Sequence, residues 1–200
     1  MNKEILGLDL AANPMRFSGF CILHDNELIS LGKVKSDIDI LDIILEKNFD
    51  IVSIDAPLSF PKEGNLRPCD YLMMKLGFKP LTFGLKTIKD LTKRAIILKE
   101  KISNLGITVI ETFPFGILKL IGYRKKPRRK NQLNDVFKKV ITAFNIKVAK
   151  KIESLTIDEI DSLLCAIAGY YYLLGSFIKI ESKECSVVFP ILQKDKNKSL

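Results

Sequence analysis

Hydrophobic residues in this chain come in short, nearly unbroken runs, and three of those runs end in an acid. "EILGLDLA" at 4–11 reaches Asp9, "IVSI" at 51–54 is followed by Asp55, and "ITVIETFP" at 107–114 reaches Glu111 just before a proline-containing turn. Apolar runs without in–out alternation predict strands covered on both faces, as in a parallel sheet. Ala56-Pro57 ends the second run, because proline has no N–H for the ladder. Asp55 is then left at a carboxyl strand end, the edge where open α/β sheets bind ligands. Two readings stand for it: a cap on the following turn, or a ligand-binding carboxylate.

The pattern between these runs supplies the other elements. "SGFCILHD" and "ELISLGKVK", separated by a turn at Asp25-Asn26, predict an antiparallel hairpin continuing from the first strand. Residues 38–47 place Ile40, Leu41, Ile44 and Leu45 on one helical face, giving the order β-β-β-α-β. Prolines at 61, 68 and 80 and glycines at 64, 77 and 84 mark an irregular insertion with one short helix at about 70–76. A longer helix at about 85–104 and another at about 131–144 follow. Thr156 and Glu159 have capping-box spacing and open an apolar helix that stops at Gly175. Asp158 and Asp161 are three residues apart and share a face at its start. The stretch to about 192 predicts an added edge strand, and "QKDKNKSL" at 193–200 reads as a basic tail.

At 200 residues the chain suits one domain, read as 1–192 with an insertion at about 61–104. Its composition, 47% hydrophobic and 28% charged, is globular rather than disordered. No apolar run is long enough to span a membrane. The start Met1-Asn2-Lys3-Glu4 leads straight into a strand, which predicts no signal peptide, no membrane partner and a cytoplasmic protein. Nothing in the pattern decides between a monomer and a homodimer. Cys21, Cys69, Cys165 and Cys185 form no C-x-x-C pair, so neither a zinc site nor a disulfide framework is expected. The single histidine, His24, lies at the hairpin turn and is expected to be solvated and idle, which leaves nothing for a Ser–His or Cys–His nucleophile.

Charge narrows the chemistry further. Lysine and arginine number 32 against 23 acids, a net charge of +9. "KLIGYRKKPRRK" at 119–130 concentrates the excess, with seven basic residues and no acid. Such a run is either a solvated loop or a contact surface for phosphates, and its arginine content and lack of acid favour nucleic acid. The candidate contacts are Arg124, Lys125, Lys126, Arg128, Arg129 and Lys130. Aspartates at the ends of neighbouring strands about 4.8 Å apart bring their carboxylates together, and two like charges at about 4 Å repel by roughly 4 kcal/mol at an effective dielectric of 20. No Lys or Arg lies within the two aspartate-bearing strands to offset this. Divalent cations with oxygen ligands fit better: Mg²⁺ or Mn²⁺, two ions with substrate, in the clamp used for phosphodiester hydrolysis.

The pieces "GLDLA", "SIDAPLSFP", "RPCD", "LTKRA", "IETFP" and "DEIDSLLCAIAG", in that order and across nearly the whole chain, resemble a family of predicted nucleases in the ribonuclease H and Holliday-junction resolvase superfamily. The resemblance implies an α/β, ribonuclease H-like fold: a mixed five-stranded sheet with an antiparallel hairpin, flanked by helices. It also implies a metal-dependent nuclease site in which Asp9 bridges both metals, Asp55 is the second ligand, Asp161 the last and Asp158 a fourth. It gives Glu111 an ancillary catalytic role. Arg67, Cys69 and Asp70 match the "RPCD" piece, where a turn with a helix cap and substrate contact both remain open. No histidine stands near the acids, unlike in several superfamily members, so a water or a lysine would have to assist the leaving group. Two alternatives accompany the nuclease: a noncatalytic nucleic-acid-binding module of the same fold, and an actin-like phosphotransferase. The latter needs glycine-rich phosphate loops and a second lobe, whereas "LAANPMRFSG" after Asp9 holds one glycine.

Overall fold

Strand β1 (Glu4–Asp9) runs through the interior of a six-stranded mixed sheet, with Ile5, Leu6, Gly7 and Leu8 all buried. Its antiparallel neighbour β2 (Ser18–His24) turns at Asp25-Asn26 into β3 (Glu27–Val34), and Asp25 takes the positive φ, 49°, that the two-residue turn requires. On its other side lie the parallel strands β4 (Ile51–Ile54) and β5 (Thr108–Glu111), and the two-residue β6 (Lys147–Val148) extends the far edge beside β3. The strand order is β5-β4-β1-β2-β3-β6. The computed structural model describes residues 2–127, 129–149, 152 and 154–192, and Lys130 through its backbone alone.

Two hydrophobic layers cover the sheet. On one face α1 (Asp37–Glu46) and α3 (Lys86–Ser103) place Ile40, Ile44, Ala95, Leu98 and Ile102 against Leu6, Leu8, Val52 and Ile54. On the other, α6 (Ile157–Leu173) lies against β1, β2 and β4, joined by α2 (Pro68–Lys75), α4 (Pro114–Leu120) and α5 (Lys130–Ala143). A separate antiparallel hairpin, β7 (Phe177–Glu181) with β8 (Ser186–Pro190), is tied to the end of β5 by a bridge between Thr112 and Val188.

Several expectations are corrected. The sheet has six strands rather than five, because β6 finds a place beside β3, and the C-terminal stretch forms its own hairpin instead of an edge strand. Within α1, Ile40 and Ile44 are buried but Leu45 is 66% exposed, since only a narrow stripe of this short helix meets the sheet. Helix α3, expected at about 85–104, spans Lys86–Ser103, carries core residues and makes the crossover from β4 to β5, and α2 interrupts the irregular stretch ahead of it, as expected. Cys69 and Cys185, 116 residues apart in sequence, form a disulfide between α2 and the β7–β8 turn, contrary to the expectation of none. His24 is not idle either: its Nδ1 lies 2.6 Å from Glu4 Oε1. Among the described residues no helix is long and apolar enough to cross a membrane. The tail at 193–200 lies outside the described residues.

Helix α6 approaches the sheet more closely than ordinary side chains permit. A Cβ at Gly7 would overlap the Ser162 carbonyl oxygen and the Ala166 amide, and one at Gly19 would overlap the Asp158 carbonyl. Glycine at both positions lets backbone rest on backbone. We therefore expect Gly7→Ala to destabilise the fold by about 1–3 kcal/mol or more, the usual range for overpacking a core, as read from the midpoint of urea unfolding. Gly106→Ala is a control for strain at a glycine of positive φ, 81°, with nothing nearby.

A candidate carboxylate site at the carboxyl edge of the sheet

The register of β1 and β4 assembles the first half of the site. Leu8 pairs with Ile54, so Asp9 and Asp55, each one residue further on, emerge side by side. They share the pleat parity of Ile5, Gly7, Ile51 and Ser53, the residues that face α6. Asp161, in the second turn of α6, completes the group from above. One carboxylate oxygen from each of Asp9, Asp55 and Asp161 lies within 4.8 Å of the others. Helix α6 starts where it must for this: Thr156 Oγ1 accepts from the Glu159 amide at 3.4 Å, and Glu159 Oε2 accepts from the Thr156 amide at 2.7 Å.

No turn amide donates to the Asp55 carboxylate among the described hydrogen bonds; its own backbone N–H pairs instead with the Leu8 carbonyl at 2.8 Å. The cap reading therefore loses its support. Burial pushes the Asp9 carboxyl up to about 9, with further upward contributions from Asp55, Asp161 and Asp158 against a lowering by Lys126. Burial also pushes Asp55 up to about 7, reinforced by Asp161 and Glu111 and again opposed by Lys126. Asp161 is raised as well, by burial first.

Lys126 supplies the charge that the strands lack. Its Nζ lies 2.5 Å from Asp161 Oδ2, with the lysine side chain 41% exposed and the aspartate 1%. Despite burial, which opposes it, Asp161, Asp55 and Asp9 hold the ammonium above its ordinary pKa. So the compensating base comes from the loop at 119–130, far along the chain from the strands in which none was found, and a residue read as a nucleic-acid contact sits inside the acid cluster. Arg124, Lys125 and Arg129 are exposed, as a phosphate-binding surface requires; Arg128 and the Lys130 side chain lie outside the described residues.

Glu111 and Asp158 stand apart from the three aspartates. Glu111 pairs with Ile54 rather than with Asp55. One register step short, it falls on the opposite side of the pleat. There the buried Arg67 grips it, with Nη1 at 2.7 Å and Nη2 at 2.6 Å, and the Leu58 amide donates to it at 2.8 Å. Arg67 also donates through Nε and Nη2 to Asp70, which in turn accepts the Arg67 amide at 2.9 Å, so the cap reading of "RPCD" holds and a buried Glu111–Arg67–Asp70 triad is added to it. Asp158 lies on the flank of Asp9. Arg94, in "LTKRA", is another residue the sequence did not single out: it pairs with Asp37 at 2.7 Å and donates to the Ala11 carbonyl, fixing the chain just beyond Asp9.

The donor set fits a divalent cation. It offers three hard oxygen ligands, both Asp161 oxygens lack any hydrogen-bond donor among the described residues beyond the Lys126 ion pair, and a cationic group already rests against them. Comparison of the chain with protein-family models, with curated proteins and with solved structures finds no match.

The electrostatics have two measurable outcomes. Asp9 and Asp55 have folded-state pKa values above their unfolded ones, so the unfolded chain releases their protons first and stability falls as pH rises from about 4 through about 7 to about 9. In chelator, Asp55→Asn should flatten that decline and melt higher than the wild type at pH 8 to 9, with about 1.4 kcal/mol at stake per pKa unit and roughly 2–4 °C per kcal/mol for a chain of this size. Lys126→Met removes the counter-charge: it should melt lower than the wild type in chelator, yet bind Mn²⁺ more tightly by calorimetric titration, because the ammonium no longer competes for Asp161. Weaker Mn²⁺ binding by this variant would show that the lysine does not occupy the cation position.

Proposed function

We propose that this chain is a ribonuclease H-like, metal-dependent nuclease that hydrolyses phosphodiester bonds of DNA or RNA with Mg²⁺ or Mn²⁺. The observation that carries the reading is the convergence of Asp9, Asp55 and Asp161 at the carboxyl ends of adjacent parallel strands and the mouth of a buried helix. Bound there, two metal ions would polarise the phosphate and lower the pKa of an attacking water.

The chain's own groups take the remaining roles. Asp9, Asp55 and Asp161 would hold the ions, with Asp9 serving both and Asp158 as a fourth ligand. If Asp161 turned to a bound metal, the Lys126 ammonium beside it would be free to give a proton to the leaving oxygen, the role for which no histidine stands near the acids. Arg124, Lys125 and Arg129 hold the phosphates on either side. Glu111 acts from behind, through Arg67, as a positioning residue rather than a ligand. A second reading, a noncatalytic nucleic-acid-binding module, is favoured by one observation: Lys126 pairs with Asp161 and offsets part of the charge of the cluster.

The test is a cleavage screen over single strands, duplexes, hybrids and junctions with Mn²⁺ or Mg²⁺. We expect 5′-phosphate products, complete loss on chelation, and a fall of at least about a hundredfold in Asp9→Asn and Asp161→Asn, as for removal of a group stabilising transition-state charge. Cleavage undiminished in Asp9→Asn would refute the site. Salt-sensitive binding without cleavage by any metal would establish the module instead.

A further inference from the structure

We propose that the pocket beside the acid cluster receives one unpaired nucleobase, so that the substrate is a single strand or an extruded nucleotide rather than an intact duplex; this deepens the nuclease reading and rests on it. The pocket, about 350 Å³, opens next to Asp9 and Asp55 toward the segment between β4 and α3. That volume falls among sites that enclose one small organic group, about 300–1,000 Å³. Met73, Pro80, Leu81, Phe113 and Phe115 form apolar walls; Lys79 and Lys126 bring positive charge, against the carboxylates of Asp9 and Asp55 and those of Asp70 and Glu111, which Arg67 already holds. Arg67 spends four of its five side-chain N–H groups on Asp70 and Glu111, which locks the guanidinium plane in place and leaves one donor over. Apolar and aromatic faces accept the π-face of any base, while the edge of the base requires only a few polar partners.

An independent feature lies on the other flank of the same aspartate. A second cleft, about 510 Å³, shares Asp9 and Leu10 with the first and is walled by Arg16, Met15 and Phe17. Met15 is 71% and Phe17 56% exposed, so both offer apolar surface in this cleft. Asp9 thus divides two recesses. A strand whose phosphate reaches the carboxylates would place one neighbouring nucleoside in the apolar pocket and the next against Phe17 and Arg16. In a duplex both bases are stacked and paired, and neither can enter unless it leaves the stack, as in enzymes that work on single strands or extruded nucleotides.

Leu81, 61% exposed at the pocket, gives a test whose sign separates base entry from simple charge attraction. Leu81→Arg adds a cation, so a purely electrostatic surface would bind every nucleic acid more tightly, whereas a base pocket would be obstructed. Fluorescence anisotropy in chelator, with labelled single strands of about 12 nucleotides and a blunt duplex of the same sequence, reads binding separately from turnover. We expect the wild type to prefer the single strand at least tenfold, Leu81→Arg to lose about tenfold on the single strand but not on the duplex, and the exposed-site variant Phe17→Ala to lose about tenfold on the single strand. Equal affinity for strand and duplex, or tighter single-strand binding by Leu81→Arg, would overturn the pocket. A 5′-mononucleotide that binds as tightly as the strand would overturn it too, assigning the pocket to free nucleotides. Cleavage with Mn²⁺ is scored apart: these affinity losses with no cleavage by the wild type would support the pocket and refute the nuclease, and duplex cleavage as fast as single-strand cleavage would do the reverse.

Discussion

Helix α6 rests directly on the backbone of β1 and β2, and the acid cluster depends on that approach. Gly7 faces the Ser162 carbonyl and Gly19 the Asp158 carbonyl with no room for a Cβ. A side chain at either position would hold the helix off the sheet; without one, α6 rests on the strand backbone and Asp161 comes within reach of the strand ends. Every residue from Ile160 to Gly169 is buried, so the helix cannot slide or rotate to relieve the carboxylates without exposing apolar surface elsewhere. Hydrophobic packing fixes the geometry, and the electrostatic cost is borne as its consequence.

That cost explains the position of Lys126. Three carboxylates within 4.8 Å, Asp161 buried and Asp9 and Asp55 partly so, favour neutral forms or a cation among them. The cluster meets the demand in both ways at once: Asp9 and Asp55 are pushed toward protonation, and an ammonium from a distant loop closes on Asp161. The loop that carries Lys126 also carries Arg124, Lys125 and Arg129, all turned to solvent. Charge at the site and charge on the surface therefore come from one loop.

Features decided within a few residues were legible in the sequence. Period and punctuation placed the three acid-ended runs, the hairpin at Asp25-Asn26 and the Thr156 capping box, because strand parity, turn chemistry and caps are local matters. Features that depend on register between strands, or on contacts across the chain, were not. Glu111 looks like Asp9 and Asp55 when each run is read alone, but it pairs with Ile54 and so lands on the other side of the pleat. Lys126 was visible only as part of a basic run, since no local pattern says which of its bases folds back onto an acid. Cys69 and Cys185 are 116 residues apart, beyond the reach of any spacing rule.

The triad behind the site shows how these long-range terms reinforce one another. Glu111, buried and raised in pKa by that burial, would be costly without Arg67, and Arg67 would be equally costly without Asp70. The three are satisfied only together, and the disulfide at Cys69 fastens the helix that carries Asp70, and that Arg67 caps, to the hairpin that borders β5. Because Glu111 also accepts the Leu58 amide, the same network sets the path of the chain three residues beyond Asp55. The acid that failed to join the cluster thus shapes its floor: it holds the turn after β4 in a course that leaves the Asp55 carboxyl without a backbone donor among the described hydrogen bonds, open to a cation.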